Sequence, residues 1–263
     1  MKVNQVKEKL RRGEAVFGTM LRELTSPEVC EILAQAGLDF LILDAEHSVY
    51  SYETIQSMAA SSKQSGIACF ARVADAAYHL IARILDAGVE GVMVPRVETK
   101  QTVEEVIAAA KYPPSGRRGW GLRRIHLGGA PASIAESIAH FNENTLVIIQ
   151  VESRRALDNL EEMLGVPGVD VALVGPADLS ISLGCPGQFE SPQMEEALQH
   201  VIAVCKKKGV ASSVHFPSAQ LWRKWFARGM RFVLCSNEWA IFSNGAREFT
   251  AGLKSELQEG IEK

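Results

Sequence analysis

Short runs of branched and aromatic residues recur along the chain, each closed by polar positions. They are "VFGTML" (16–21), "DFLILDAE" (39–46), "ACFARV" (68–73), "GVMVPRV" (91–97), "TLVIIQVE" (145–152), "VDVALVG" (169–175), "VASSVHF" (210–216) and "RFVLCSN" (231–237). Such runs are too continuous for strands with one wet face, so they predict a parallel sheet covered on both sides. The segments between them carry helix signals. In "TSPEVCEILAQAG" (25–37), Ser26 can cap, Pro27 suits the first turn and Gly37 can terminate. "AYHLIARILDAG" (77–88), "SRRALDNLEEMLG" (153–165) and "SPQMEEALQHVIAVCKKKG" (191–209) read likewise, and the lysines closing the last complement the helix dipole. At the start of the chain, Val3, Val6 and Leu10 sit at helical spacing on a polar background.

Eight alternations of strand and helix predict an α/β fold, a (β/α)8 TIM barrel forming a single domain over residues 1–263, with an open doubly wound sheet as the alternative. The segment 237–260 reads as an extra C-terminal helix, one more than a compact barrel needs if it is broken at Gly245, and available for oligomer assembly. Two long Gly- and Pro-rich interruptions, 112–133 and 175–193, are both expected to follow strands. In a barrel that places them on the catalytic face.

Composition narrows the function. A chain of 263 residues with a formal charge of −3 and no basic block is not built around nucleic acid, which needs clustered Lys and Arg. No window reaches the ~20 apolar residues of a membrane span, and the opening residues have no apolar signal core, so a cytoplasmic enzyme is expected. The five cysteines, Cys30, Cys69, Cys185, Cys205 and Cys235, are odd in number and far apart, which predicts buried thiols rather than disulfides or a zinc cluster.

The chemistry gathers at the carboxyl ends of the runs: Asp44, Glu46 and His47 after the second, Arg72 in the third, Gln150 and Glu152 at the fifth, Asp178 past the sixth. In a barrel these ends converge on one mouth. Glu152 and Asp178, from neighbouring strands, then suit a hard divalent cation such as Mg²⁺ or Mn²⁺. The alternatives are that Glu152 complements the helix beginning at 153 and that Asp178 caps a turn. His47, three residues after Asp44, is a candidate base with a carboxylate to orient it, or else a solvent-facing loop residue. Arg72 is costly in an apolar run unless it faces an anion or pairs with one of these acids.

Absences exclude other chemistries. A Schiff-base mechanism needs a lysine at a strand end, and Lys63, Lys100, Lys111, Lys206, Lys207, Lys208 and Lys224 all fall in helices or loops. The turns after the last two runs, "HFPSAQ" and "CSNEWA", lack the glycines of a phosphate site. An aromatic content of 7% offers few platforms for a sugar ring, which argues against a glycosidase.

These residues resemble the HpcH/HpaI aldolase family, the metal-dependent class II pyruvate aldolases. "LDAEHS", "ARV", "ILDAGVEGVMVPRVET", "GRRGWG", "QVES" and "GVDVALVGPADLS" carry the resemblance through most of the chain, in order. It implies cleavage of a 4-hydroxy-2-keto acid to pyruvate and an aldehyde through a metal-stabilised enolate, with Mg²⁺, Mn²⁺ or Co²⁺ held by Glu152 and Asp178. Gln150 would contact the pyruvate, and backbone groups of Gly175, Pro176 and Ala177 would receive its carboxylate. His47 paired with Asp44 would be the acid/base element, Arg72 would stabilise the enolate oxygen, and Asp86 would reach a neighbouring subunit's site. The partners implied are the keto acid and further copies of the chain, a hexamer built as a trimer of dimers with the last helix exchanged. Where the family has a small residue after "RG", this chain has Trp120; Arg117, Arg118, Arg123 and Arg124 nearby either read a second substrate carboxylate or serve as solvated or intersubunit charges. His215 and Trp239 carry no implied role. A CoA-ester lyase of the citrate or malyl type and a non-catalytic relative are the alternatives.

Overall fold

The computed structural model describes residues 1–128 and 131–259. Outside them lie residues 129, 130 and 260–263, on which fall part of the 112–133 interruption, the end of the helix expected over 237–260 and the end of the single domain expected over 1–263. Eight strands, β1 (Val16–Leu21), β2 (Phe40–Asp44), β3 (Ala68–Arg72), β4 (Gly91–Val94), β5 (Leu146–Val151), β6 (Val171–Val174), β7 (Ala211–Phe216) and β8 (Phe232–Asn237), pair in parallel in chain order. β8 returns to β1 and closes the barrel, so the open-sheet alternative is excluded.

Because side chains alternate across a strand, each strand feeds two cores. One set fills the barrel interior: Met20, Phe40, Ile42, Phe70, Met93, Ile148, Leu173, Phe232 and Leu234. Phe40 stacks on Phe232 with ring centroids 4.2 Å apart. Gly18 makes room, since a Cβ there would lie 2.4 Å from the Phe40 ring. The other set, including Leu41, Leu43, Ala71, Val92, Ile149 and Val174, packs beneath the helices. The short N-terminal helix Gln5–Arg11 sends Val6 into the interior cluster and thereby plugs the amino end. The same alternation fixes the mouth: on β5, Leu146 and Ile148 face inward, so Gln150 and Glu152 continue that row upward.

The structure departs from the sequence expectations in four places. The helix expected to be capped by Ser26, with Pro27 in its first turn, begins at Glu28 with Pro27 at the cap; Ser26 turns its hydroxyl to the Glu28 carboxylate instead of capping backbone. The 153–165 helix is two pieces, Arg154–Asp158 and Leu160–Met163, separated at Asn159, whose side-chain amide donates to the Glu98 carbonyl at 2.8 Å. The C-terminal helix runs unbroken from Glu238 to Glu259; one mid-helix glycine costs only ~1 kcal/mol, too little to interrupt it at Gly245.

The fourth departure matters most. The 112–133 interruption does not follow a strand: it follows the helix Lys100–Ala110, whose Val103, Val106, Ile107 and Ala110 form a buried stripe and whose start is capped by Thr99. It therefore opens at the amino end of the barrel, opposite the mouth. The 175–193 segment does follow β6 and stays on the catalytic face. Cys30, Cys69, Cys185 and Cys205 are buried free thiols, as expected, while Cys235 is half-buried.

Candidate active site

At the carboxyl end of β2 and β3, strand register puts Asp44 beside Arg72. Asp44 is fully buried and accepts both arms of the Arg72 fork, from Nε at 2.8 Å and Nη2 at 2.6 Å. Its remaining contacts are Arg22 Nε at 3.2 Å and the backbone N–H groups of Glu46 and His47, each at 3.2 Å. Burial alone would raise this carboxyl's pKa; the hydrogen bonds and charge of Arg72, helped by His47 N–H and Arg22, outweigh it and hold the value below the usual range.

This network corrects one expectation. Asp44 does not orient the His47 imidazole, because Arg72 has taken its oxygens; it holds only the His47 backbone. The half-exposed His47 ring lies instead with Nε2 3.7 Å from Glu46. Glu46 also meets Arg72 Nη1 at 3.3 Å and pairs with Arg96. Arg72 thus commits two of its five N–H groups to hydrogen bonds with Asp44, and its Nη1 side, with Glu46 alongside, keeps donors for a ligand.

Across the mouth, Glu152 is buried at 8% exposure with Oε1 accepting the Arg96 backbone N–H at 2.7 Å and Oε2 accepting the Gln150 amide. Arg96 delivers that N–H from a left-handed conformation, φ +51°, one of two such non-glycine residues described. Its guanidinium bridges Glu46 and the Ala74 carbonyl, at 2.6 Å for the latter. Burial raises the Glu152 pKa, and the charges of Asp178 and Glu46 raise it further against the Arg96 N–H. Glu152 is not a helix cap, since Ser153 caps the next helix on Ala156 N–H at 3.1 Å.

Asp178 is exposed in the first turn of the helix Pro176–Ser182. Gly175 leads into that helix and lies so close to the β5 row that a Cβ on it would sit 2.6 Å from Glu152 Oε2 and 2.7 Å from Gln150 Nε2. Of the three residues expected to offer backbone donors here, Gly175 spends its N–H on the Val151 carbonyl at 3.2 Å and Pro176 has none. Ala177 is the one left with an N–H free of the helix.

The carboxylates of Glu152 and Asp178, close enough for the charge of Asp178 to raise the Glu152 pKa, fit a hard divalent cation that keeps several water or substrate ligands. Among the described residues no three His, Cys, Asp or Glu side chains form a preformed metal cage. The buried Gln150 Oε1, on the residue that holds Glu152, has no hydrogen-bond partner among the described residues.

Asp86 is not at this mouth. It ends the helix Tyr78–Asp86 five residues before β4 begins, at the amino end, and pairs with the buried Arg118 at 2.6 Å. Arg123 donates to the Asp86 carbonyl at 2.9 Å, while Arg117 lies over the Tyr78 ring. Trp120 and the arginines therefore cannot read a substrate in their own chain's mouth. A cavity of about 110 Å³ also lies at the amino end, among Lys2, Lys63, Glu90, His126 and Phe141, remote from the converging acids. Lys111, pushed down to about 7 by burial and by Lys7, has a Schiff-base lysine's pKa but the wrong place: Nζ donates to the Asn142 and Thr145 carbonyls at 2.8 and 2.7 Å.

The sequence reading missed three mouth residues. Arg22 continues the inward row of Val16 and Met20, a signal available in the strand period. Arg96 had only its place after β4, and Glu238 had none; its buried carboxylate accepts the N–H groups of Arg22 and Glu23 at 2.6 and 2.7 Å.

Comparison with known proteins identifies the family. The model of the HpcH/HpaI aldolase/citrate lyase family matches residues 19–239. The chain belongs to the HpcH/HpaI family. A 2-keto-3-deoxy-L-rhamnonate aldolase of Escherichia coli is 32% identical over 256 residues, covering 96% of this chain and 94% of its own. A 5-keto-4-deoxy-D-glucarate aldolase of Klebsiella pneumoniae is 32% identical over 231 residues, 88% and 90% of the two chains. The crystal structure of an HpcH/HpaI aldolase from Desulfitobacterium hafniense superposes with a TM-score of 0.88 at 32% identity, covering 95% of this chain and 96% of that one. This HpcH/HpaI member is accordingly a carbon–carbon lyase.

Proposed function

We propose that the chain is a divalent-metal-dependent aldolase that reversibly cleaves a 4-hydroxy-2-keto acid to pyruvate and an aldehyde. The observation that carries this reading is the Glu152 carboxylate, buried beside Asp178 and Glu46 and oriented by the Arg96 N–H and the Gln150 amide. Glu152 and Asp178 would hold the cation, of the Mg²⁺, Mn²⁺ or Co²⁺ kind. When bound, it supplies positive charge that polarises the keto group of the substrate.

The chain's own groups do the rest. Ala177 N–H and the Gln150 side chain orient the pyruvate half, and Pro176 and Gly175 shape the wall against which it lies. The N–H groups of Arg72 not bonded to Asp44 hold the negative charge that develops on the keto oxygen as the C–C bond breaks. His47 takes the proton from the C4 hydroxyl, with Glu46 rather than Asp44 as the carboxylate nearest its ring. Asp44 positions Arg72.

Asp86 can contribute only to a neighbouring copy's mouth, because its own barrel lies between it and the chemistry. Assembly into a homo-oligomer, a hexamer with the last helix exchanged, is supported by the exposed stripe Trp239, Phe242, Phe249, Leu253 and Leu257 on the helix Glu238–Glu259. No described helix is long and apolar enough to cross a membrane. The test is to strip the protein with chelator, restore Mg²⁺, Mn²⁺ or Co²⁺ singly, and follow pyruvate release from a panel of 4-hydroxy-2-keto acids. Release must depend on the metal; metal-independent release, or release only from a CoA thioester, refutes the reading.

A further inference from the structure

Two groups on the β7–β8–β1 side of the mouth have no part in the chemistry above. His215 lies in register with the inward-facing Leu234 of β8 and follows Ala211, which packs on the interior cluster, at period two. Its ring therefore belongs to the mouth row. Nε2 is 2.9 Å from the Ser236 carbonyl, and a carbonyl only accepts, so Nε2 carries the hydrogen and the neutral ring offers Nδ1 as an acceptor. Ser236 holds that carbonyl from a left-handed conformation, φ +63°, an arrangement that costs ~1–3 kcal/mol and persists only where its surroundings impose it. Burial, with Arg72 and Arg22 adding to it, keeps His215 below the usual histidine range and hence neutral near pH 7.

Arg22 stands on the other side of β8. Its Nε donates to Asp44 at 3.2 Å and its backbone is pinned by Glu238 at 2.6 Å, while its terminal nitrogens have no hydrogen bond among the described residues. Arg72 gives two N–H groups to Asp44 and Arg96 gives one each to Glu46 and the Ala74 carbonyl, whereas Arg22 gives one, so Arg22 is the mouth cation with most donor capacity left.

We propose that His215 and Arg22 form the subsite for the aldehyde half of the substrate and select an aldehyde bearing a hydroxyl on the carbon next to its carbonyl. This rests on the aldolase reading. A hydroxyl both donates and accepts, and so satisfies an imidazole lone pair and a guanidinium N–H at once. A carboxylate in the same place would set its lone pairs against Nδ1. An unsubstituted chain would cover the His215 acceptor without pairing it, the situation in which sites built to bind a hydroxyl discriminate strongly.

The experiment measures aldol addition of pyruvate by the Mn²⁺-loaded protein to glycolaldehyde, to acetaldehyde, which lacks only the hydroxyl, and to glyoxylate, which has a carboxylate there. In the wild type, kcat/KM for glycolaldehyde should exceed that for acetaldehyde by about 10²-fold, with glyoxylate poorer still. His215→Leu should bring the ratio at least tenfold closer to one, and His215→Asn, which restores an acceptor oxygen, should recover part of it. Thermal melts establish that each variant is folded. A wild-type ratio near one, a ratio untouched by His215→Leu, or preference for glyoxylate overturns the subsite. Exchange of the pyruvate methyl protons in D₂O without any aldehyde separates the two readings. If exchange occurs and discrimination fails, only the subsite falls; if the wild type gives no exchange, the pyruvate reading falls and takes the subsite with it.

Discussion

Substituting Gly175 by alanine tests the packing of the proposed metal site while sparing the rest of the barrel. The backbone there, φ −85° and ψ 95°, is open to alanine, so conformational strain plays no part. The new methyl would meet Glu152 Oε2 at 2.6 Å and Gln150 Nε2 at 2.7 Å, and Glu152 Cβ at 3.2 Å. Regaining ordinary contact needs a retreat of about 0.8 Å. Neither neighbour can retreat freely: Arg96 N–H holds the other Glu152 oxygen at 2.7 Å, and the Gln150 side chain is buried. Overpacking of this kind costs ~1–3 kcal/mol, offset by ~0.4–1 kcal/mol from the stiffer unfolded chain. For a chain of this size that lowers Tm by up to ~10 °C, at ~2–4 °C per kcal/mol. A displacement near 1 Å at reacting groups costs up to ~10² in rate, so Gly175→Ala should lose about 10–10² in turnover and weaken Mn²⁺ binding. Calorimetric Mn²⁺ titration with a coupled pyruvate assay measures both. The control is Gly245→Ala, which meets nothing within 4 Å on the exposed helix and should leave metal affinity unchanged. Gly175→Ala binding Mn²⁺ and turning over within twofold of wild type would refute the reasoning.

Three other perturbations read separate parts of the structure. Arg72→Ala should lower turnover by ~10²–10³ and, by stranding the fully buried Asp44, lower the urea-unfolding free energy by ~3 kcal/mol; adding Asp44→Asn should restore stability without restoring turnover. Lys111 titrates near 7 in the folded chain and near 10.4 when unfolded, so between those values the unfolded state binds the extra proton and stability rises with pH. Unfolding curves from pH 7 to 10 should show that rise, and Lys111→Met should remove up to one proton's worth of slope. Phe249→Glu with Leu253→Glu places charges in the exposed stripe of the last helix; sedimentation velocity should show a smaller assembly, while an unchanged coefficient would place the interface elsewhere.

Much of the mouth was legible because strand periodicity is a local property. Gln150 and Glu152 share a face with Leu146 and Ile148 whatever the rest of the chain does, and the same count would have found Arg22 above Met20 and His215 above Ala211. Asp44 and Arg72 were both visible as charged ends of apolar runs. Their partnership was not, since it depends on the register between two strands 28 residues apart, which no local pattern encodes. Once register joins them, Arg72 outcompetes the His47 ring for Asp44 because a bidentate, charge-assisted fork is the stronger bond.

Segment ends follow the same division. Apolar spacing determined that eight strands alternate with helices, and hence that their carboxyl ends gather at one place. Only the closed barrel decided which end each connection occupies: the helix Lys100–Ala110 carries the chain back to the amino end before the arginine-rich segment begins, so Trp120, Arg118 and Asp86 face away from their own mouth. The left-handed turns of Arg96 and Ser236 belong to the same category. Neither residue type favours that conformation, and each adopts it because contacts from distant strands, to Glu152 in one case and His215 in the other, accompany the backbone rotation. Side-chain chemistry and its period were written locally; pairing, orientation and strain arose where remote segments had to share one space.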